Sequence, residues 1–260
     1  MDNLPNKELG QYWLFDEQVL ADIAASADIS KDDTVLEIGP GLGTLTKVLV
    51  HQAKKVIAVE FDKQLAEQMT WRVTDKNLKI INQDILKFDF SSLPAGYKIV
   101  ANIPYYLTSN LIRIISEAAN PPTVAVLLVQ KEVAERVAAE PGAMSILSVT
   151  AQYFWEVSLG NIVPAKLFTP PPKVDSQVLI LERSPSLKLE ESKRKEFFRL
   201  VKAGFSQRRK TLLNSLSGGL DLGKSEVQSI CADAGIDTGR RAQTLSLEEW
   251  SSLYESLIRA

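Results

Sequence analysis

Short apolar runs alternate with amphipathic stretches from Thr34 to Ala138, and no other feature limits the fold of this chain as strongly. Thr34–Ile38, Lys55–Glu60, Lys79–Asn82, Lys98–Ala101 and Val124–Val129 read as buried strands. Thr44–Gln52, Asp62–Arg72, Ser109–Ala118 and Lys131–Ala138 carry helical spacing between them. Such alternation predicts repeated βα units and a mainly parallel sheet. Two later runs, Trp155–Val163 and Asp175–Leu181, are separated by the proline-rich Phe168-Thr169-Pro170-Pro171-Pro172-Lys173 and are expected to form an antiparallel pair at the sheet edge. After Arg183-Ser184-Pro185-Ser186 the character changes. From Glu191 onward the pattern is helical, with Gly218-Gly219, Gly223 and Gly235 as stops, so a boundary near Ser184 divides an α/β domain, 1–184, from a small all-helical domain, 185–260.

With 260 residues, 45% of them hydrophobic, the chain can bury one substantial α/β core and a smaller appendage. Cys231 is the single cysteine, which excludes an intrachain disulfide and any Cys/His zinc cluster and fits a reducing, cytoplasmic setting. No run reaches the length of a membrane span, and the first thirty residues lack the pattern of a secretory leader, so a soluble protein is expected. The formal charge of −2 argues mildly against a nucleic-acid partner, but its distribution argues the other way. Between Lys193 and Lys210 eight basic residues, Arg208, Arg209 and Lys210 among them, stand against the single acid Glu196. Phe197, Phe198 and Phe205 give the segment an apolar face, so a phosphate-contacting stripe competes here with a merely solvated helix face.

Four signals fall at strand ends. Gly39-x-Gly41-x-Gly43 follows the first strand, Glu60 ends the second, Asp84 lies just past the third, and Asn102 ends the fourth. In an open parallel sheet these ends line the ligand crevice, so four separated positions converge on one pocket. Glycines let backbone approach a nucleotide closely, Glu60 can accept both ribose hydroxyls, and Asp84 can accept an adenine amino group. That set describes S-adenosylmethionine held by its adenosine. A dinucleotide fingerprint would place glycine where Thr44 stands, and a ribose-binding acid suits NAD equally well, so the glycine loop and Glu60 do not discriminate. Asn102-Ile103-Pro104-Tyr105 does. The Asn side-chain oxygen and the carbonyl next to Pro104 can accept both N–H bonds of an exocyclic amine, and Tyr105 offers a stacking surface for the base that carries it. A nucleobase-amine methyltransferase, most simply one acting on adenine N6, is the reading these residues favour. As an isolated acid, Asp84 would most often be a cap or loop residue. His51 is expected to be structural or exposed, Cys231 to be core, and Trp71, Trp155 and Trp250 to be packing residues; Trp13 is placed beside the crevice.

The chain resembles the KsgA-type adenine dimethyltransferases of small-subunit ribosomal RNA, relatives of the erythromycin-resistance methyltransferases. The resemblance rests on Leu9-Gly10-Gln11 with Leu14, Glu37 to Gly43, Asn102 to Tyr105, Gln130 to Arg136, Phe168 through Ser176, Phe205 to Leu212 and Arg241 to Ser246. The last two blocks look like the ribosomal housekeeping branch. The resemblance implies a class I methyltransferase fold, Rossmann-like with a mostly parallel seven-stranded sheet, followed by a helical RNA-binding domain. It implies transfer of four methyls from S-adenosylmethionine, leaving S-adenosylhomocysteine, to N6 of two adjacent adenosines near the 3′ end of 16S rRNA. The partner would be 16S rRNA in the 30S subunit or its precursor, met by a cytoplasmic monomer without metal or membrane attachment. By motif match, Tyr12, Leu14, Gly39, Gly41, Glu60, Asp84 and Asn102 would contact the cofactor. Asn102, Pro104, Tyr105 and Phe168 would form the catalytic site, with Tyr105 and Phe168 sandwiching the target adenine; Lys173, Arg208, Arg209 and Lys210 would contact RNA. Two departures stand out: the family usually has Asn or His at the position of Tyr12, and a basic N-terminus where this chain begins Met1-Asp2-Asn3-Leu4. A resistance-type 23S rRNA adenine methyltransferase and a non-catalytic assembly or transcription factor retaining the fold are the alternatives.

Overall fold

A computed structural model describes residues 11–184 and 190–260, the side chains of Glu191 and Ser192 apart. The Leu9-Gly10 pair, the non-basic start, and Pro185-Ser186 at the expected boundary lie outside the described residues. In chain order the elements are β1 (Trp13–Leu14), α1 (Glu17–Ala25), β2 (Thr34–Ile38), α2 (Thr44–Gln52), β3 (Lys55–Glu60), α3 (Lys63–Arg72), β4 (Leu78–Asn82), β5 (Lys98–Asn102), α4 (Thr108–Glu117), β6 (Val124–Gln130), α5 (Lys131–Val137), α6 (Ile146–Phe154), β7 (Trp155–Val163), β8 (Phe168–Thr169), β9 (Ser176–Arg183), α7 (Glu191–Phe205), α8 (Leu212–Leu220), α9 (Lys224–Asp233) and α10 (Leu247–Leu257).

Seven strands form one sheet in the order β4-β3-β2-β5-β6-β9-β7, while β1 and β8 make a separate antiparallel pair. Pairing is parallel from β4 through β6, and β9 runs antiparallel to β6. The two late strands are neighbours as expected, but only β7 lies at the edge, because β9 pairs along its length with β6. Val35, Leu36, Ile99, Val100, Val126 and Leu128 are fully buried, as strands covered on both faces must be. Helices α1 and α3 start on side-chain caps: Asp16 accepts from the Val19 N–H, and Asp62 from those of Gln64 and Leu65.

Residues 1–134 with 156–183 form one compact unit, and residues 135–155 with 184–260 form a second. The chain passes into the second unit at Ser184, where the boundary was expected; the difference lies in residues 135–155, which include α6 and belong with the C-terminal helices. The reason is aromatic packing. Tyr153 and Phe154 of α6 meet edge to face at 4.8 Å, and Tyr153 packs on Phe197 of α7 at 5.1 Å. Phe197 in turn meets Tyr254 of α10 at 5.9 Å. On α7 the buried face is Phe197, Leu200 and Val201, with Lys193, Lys195, Arg199 and Lys202 exposed. Arg208, Arg209 and Lys210 are not on this helix, which ends at Phe205; they are exposed in the loop that leads to α8. Trp155 and Trp250 are core, whereas Trp71 is 64% exposed, with Arg72 over its ring, contrary to its expected packing role.

Gly204 in α7 touches Trp250 so closely that an added Cβ would fall 2.4 Å from the ring. Ala gains about 1 kcal/mol over Gly in a helix interior, but overpacking a closed core costs about 1–3 kcal/mol. Gly204→Ala is expected to lower stability, read as a lower urea midpoint at unchanged m-value; a raised midpoint would contradict this packing.

Candidate active site

The parallel register sets the site. Ile38 at the end of β2 pairs with Val59 of β3, so the glycine loop leaves the sheet beside Glu60. Gly39, Gly41 and Gly43 have φ of +65°, +55° and +80°, the left-handed region that side chains disfavour. Gly41 is constrained twice, because a Cβ there would also lie 2.6 Å from the Trp13 ring. Glu60 is buried and clamps the loop: one carboxylate oxygen accepts the Gly41 N–H at 3.1 Å and the other accepts the Asp62 N–H at 2.9 Å. Each oxygen keeps lone-pair capacity for a further donor. Burial holds the Glu60 carboxyl above its ordinary range against these two bonds.

Asp84 caps the short turn Ile85–Lys87 by accepting the Leu86 N–H at 2.9 Å, and it also lines the cavity. The cap reading and the binding reading thus describe the same side chain. Asn102 ends β5, and its Nδ2 donates to the Tyr12 carbonyl at 3.4 Å. That orientation leaves Oδ1 as the acceptor. The Pro104 carbonyl is taken by the Leu107 N–H at 3.0 Å, so the remaining acceptor of the turn is the Ile103 carbonyl. Tyr105 is tethered through its hydroxyl to Ser176 Oγ at 2.8 Å, and burial pushes its pKa up, with Ser176 opposing.

These groups enclose a single cavity of about 230 Å³ lined by the glycine loop, Trp13, Glu60, Asp84, Asn102 and Tyr105. Pro104 lies close to the loop, with its Cδ 3.9 Å from where a Cβ on Gly39 would stand. Tyr12 and Leu14 line the same space. Phe168 does not. It is 2% exposed, paired with Leu14 across the β1–β8 ladder and packed in the core, so the ring that faces Tyr105 is Tyr12, at 5.5 Å between centroids and 25° between planes. Sequence reasoning passed over Phe61 and Tyr106, which stand at the cavity 61% and 64% exposed. The available signal was a large aromatic directly after a strand-end acid and directly after the Asn-to-Tyr turn. Lys173, Arg208, Arg209 and Lys210 are exposed and lie outside the cavity. Among the described residues no group of three His, Cys, Asp or Glu side chains is disposed to hold a metal. Cys231 is buried, its thiol pushed up to about 11 by burial, and His51 is exposed at the end of α2.

A model of the ribosomal RNA adenine dimethylase family matches residues 2–259. The chain belongs to that family. It is 43% identical over 251 residues to ribosomal RNA small subunit methyltransferase A of Dehalococcoides mccartyi (strain CBDB1), covering 95% of this chain and 86% of that one. Among solved structures, a dimethyladenosine transferase from Plasmodium falciparum superposes with a TM-score of 0.80 at 28% identity, covering 95% of this chain and 97% of that one. The 23S rRNA methyltransferase ErmE superposes with a TM-score of 0.77, also at 28% identity, over 95% of this chain and 99% of that one. The methyltransferase fold expected from sequence is therefore the fold observed.

Glu37, at the end of β2, is the most perturbed acid of this family member's site. Burial raises its pKa to about 8, and the charge of Glu60 adds to the effect. The Thr46 hydroxyl beside it pulls the other way, yet Glu37 Oε2 and Thr46 Oγ1 both lack a partner in hydrogen-bond geometry. A carboxyl whose folded pKa exceeds its unfolded value costs stability as pH rises from about 4.5 toward about 8, because the unfolded chain releases its proton first. Glu37→Gln cannot ionise. Its melting temperature relative to wild type is expected to rise between pH 5 and pH 8.5 in thermal denaturation; parallel pH profiles would show that Glu37 carries no such penalty.

Proposed function

We propose that this protein transfers methyl groups from S-adenosylmethionine to N6 of two adjacent adenosines near the 3′ end of 16S rRNA, in the 30S subunit or its precursor. One observation carries the reading: the Asn102-to-Tyr105 turn and the glycine loop share one cavity, in a chain matched along its length to small-subunit rRNA methyltransferases. We also infer a cytoplasmic protein, because ribosomal RNA is the substrate proposed for it.

The residues fit such a donor. Gly39 and Gly41 offer a backbone cradle without side chains, and Glu60 and Asp84 keep acceptor capacity for ribose hydroxyls and an adenine amino group. Phe61 presents an exposed ring beside them, and Trp13 Nε1 and Glu37 Oε2 are a buried donor and acceptor at the same cavity, both without partners. When bound, the donor supplies a methyl already activated on a sulfonium.

What remains for the protein is to make adenine N6 a nucleophile, since its lone pair is delocalised into the ring. Asn102 Oδ1 and the Ile103 carbonyl accept the two N–H bonds and favour a pyramidal nitrogen aimed at the methyl. The proton leaves to water, so positioning rather than a strong base does the work. Drawing the base from its stack costs a few kcal/mol, and stacking on an aromatic ring returns about 1–3 kcal/mol, the role assigned to Tyr105. Lys173, Arg208, Arg209 and Lys210, all exposed, are assigned to RNA phosphates.

Asn102→Ala is expected to cut methylation of unmethylated 30S subunits by about 100-fold or more, the scale of losing one aligned polar group, while calorimetric affinity for S-adenosylmethionine changes only a few-fold. Mapping of the labelled nucleotides checks the target, and normal turnover by this variant would remove Asn102 from the mechanism. Reversing the charges of Arg208, Arg209 and Lys210 is expected to flatten the slope of log affinity against log salt by about 1 for each phosphate no longer neutralised. An unchanged slope would return these side chains to a solvated loop.

A further inference from the structure

The ring facing Tyr105 belongs to a residue that the family resemblance implicates only in cofactor contact. Tyr12 and Tyr105 stack with centroids 5.5 Å apart and planes 25° apart. A base inserted between two rings needs them about 7 Å apart, two contact distances of about 3.5 Å. The Tyr105 face that Tyr12 covers is therefore closed to a base. The Tyr12 backbone is fixed, because Asn102 Nδ2 holds its carbonyl and β1 begins at the next residue. The Tyr12 side chain is held by packing alone: no side-chain hydrogen bond binds it among the described residues, and the partly buried ring packs against the core and lines the cavity. Tyr105 is fixed at its far end by Ser176.

We infer that Tyr12 is a specificity-determining placeholder: its ring occupies the stacking face of Tyr105 until the target adenine displaces it by side-chain rotation. This rests on the proposed function and adds to it. Displacing Tyr12 forfeits its own stacking on Tyr105 and so reduces the return that a base gains there, and an adenine alone therefore does not take the slot. A base attached to RNA brings binding energy from remote phosphates, and only such a substrate drives the exchange. The slot thereby rejects free nucleosides with the same ring.

The test is fluorescence titration of a short RNA carrying 2-aminopurine at the target position, with S-adenosylhomocysteine present and its affinity for each variant measured by calorimetry. Removing the Tyr12 ring abolishes a stacking interaction worth about 2- to 13-fold in equilibrium terms, the factor for an aromatic pair. Tyr12→Asn and Tyr12→Leu are expected to bind the probe tighter by that factor and quench it more strongly, whereas Tyr12→Phe, which keeps the ring, binds it as wild type does. Equal or weaker probe binding by both ring-less variants, with S-adenosylhomocysteine affinity retained, overturns the placeholder. Loss of S-adenosylhomocysteine affinity in both also overturns it, since Tyr12 would then be a wall of the donor pocket. Absence of quenching by the wild type and every variant at saturating RNA would show that no base enters the slot beside Tyr105 and overturn the placeholder as well, whereas the function on which it rests fails separately, if 30S subunits are not methylated.

Discussion

Parallel register is the constraint on which the site depends. Because β2, β3, β4 and β5 run in one direction and pair in parallel register, Ile38, Glu60, Asn82 and Asn102 all lie at the carboxyl end of the sheet. Side chains far apart in sequence are brought together without any loop having to reach. Glu60 then converts proximity into shape, since its two oxygens tie the glycine loop and the start of α3 to the same strand end. Asn82 adds a further tie, donating to the carbonyls of Glu60 and Phe61 and so holding the backbone beneath the exposed Phe61 ring.

The cost of this arrangement is concentrated in acids kept from water. Glu37 and Glu60 are both buried at adjacent strand ends, and neither faces a cation among the contacts that shape its titration. Glu60 is compensated by backbone N–H groups, which stabilise a carboxylate without bringing a competing side chain into the cavity. Glu37 is left with an oxygen unpartnered. A cavity with unmet polar capacity at its floor is built for a polar ligand rather than for packing.

Most of the sheet was legible because its strands are apolar runs between turn signals, and β2, β3 and β7 begin and end where the pattern does. The same holds for the cavity residues at strand ends, whose convergence follows from sheet direction alone. Elements set by tertiary contact were not legible. The two-residue strands β1 and β8 have no local period, and their pairing joins positions about 155 residues apart, which moves Phe168 into the core. Helix α6 escaped because from Leu147 to Tyr153 its apolar residues alternate with Ser148, Thr150 and Gln152, a period of two that reads as a strand, and its capping box uses Ser148 where the usual pattern has Glu or Gln. Tyr12 was read by its position in a motif, and nothing local announces that its ring lies on Tyr105.

The short segment from Tyr12 to Leu14 touches both ends of the cavity: Trp13 rests on Gly41, while the Tyr12 carbonyl is held by Asn102. On the proposed reading, in which the glycine loop seats the donor and Asn102 the base, this strand fragment links the two mechanically. Any shift that occupancy of one seat imposes on it alters the free energy of filling the other, and reciprocity requires the effect to be equal in both directions.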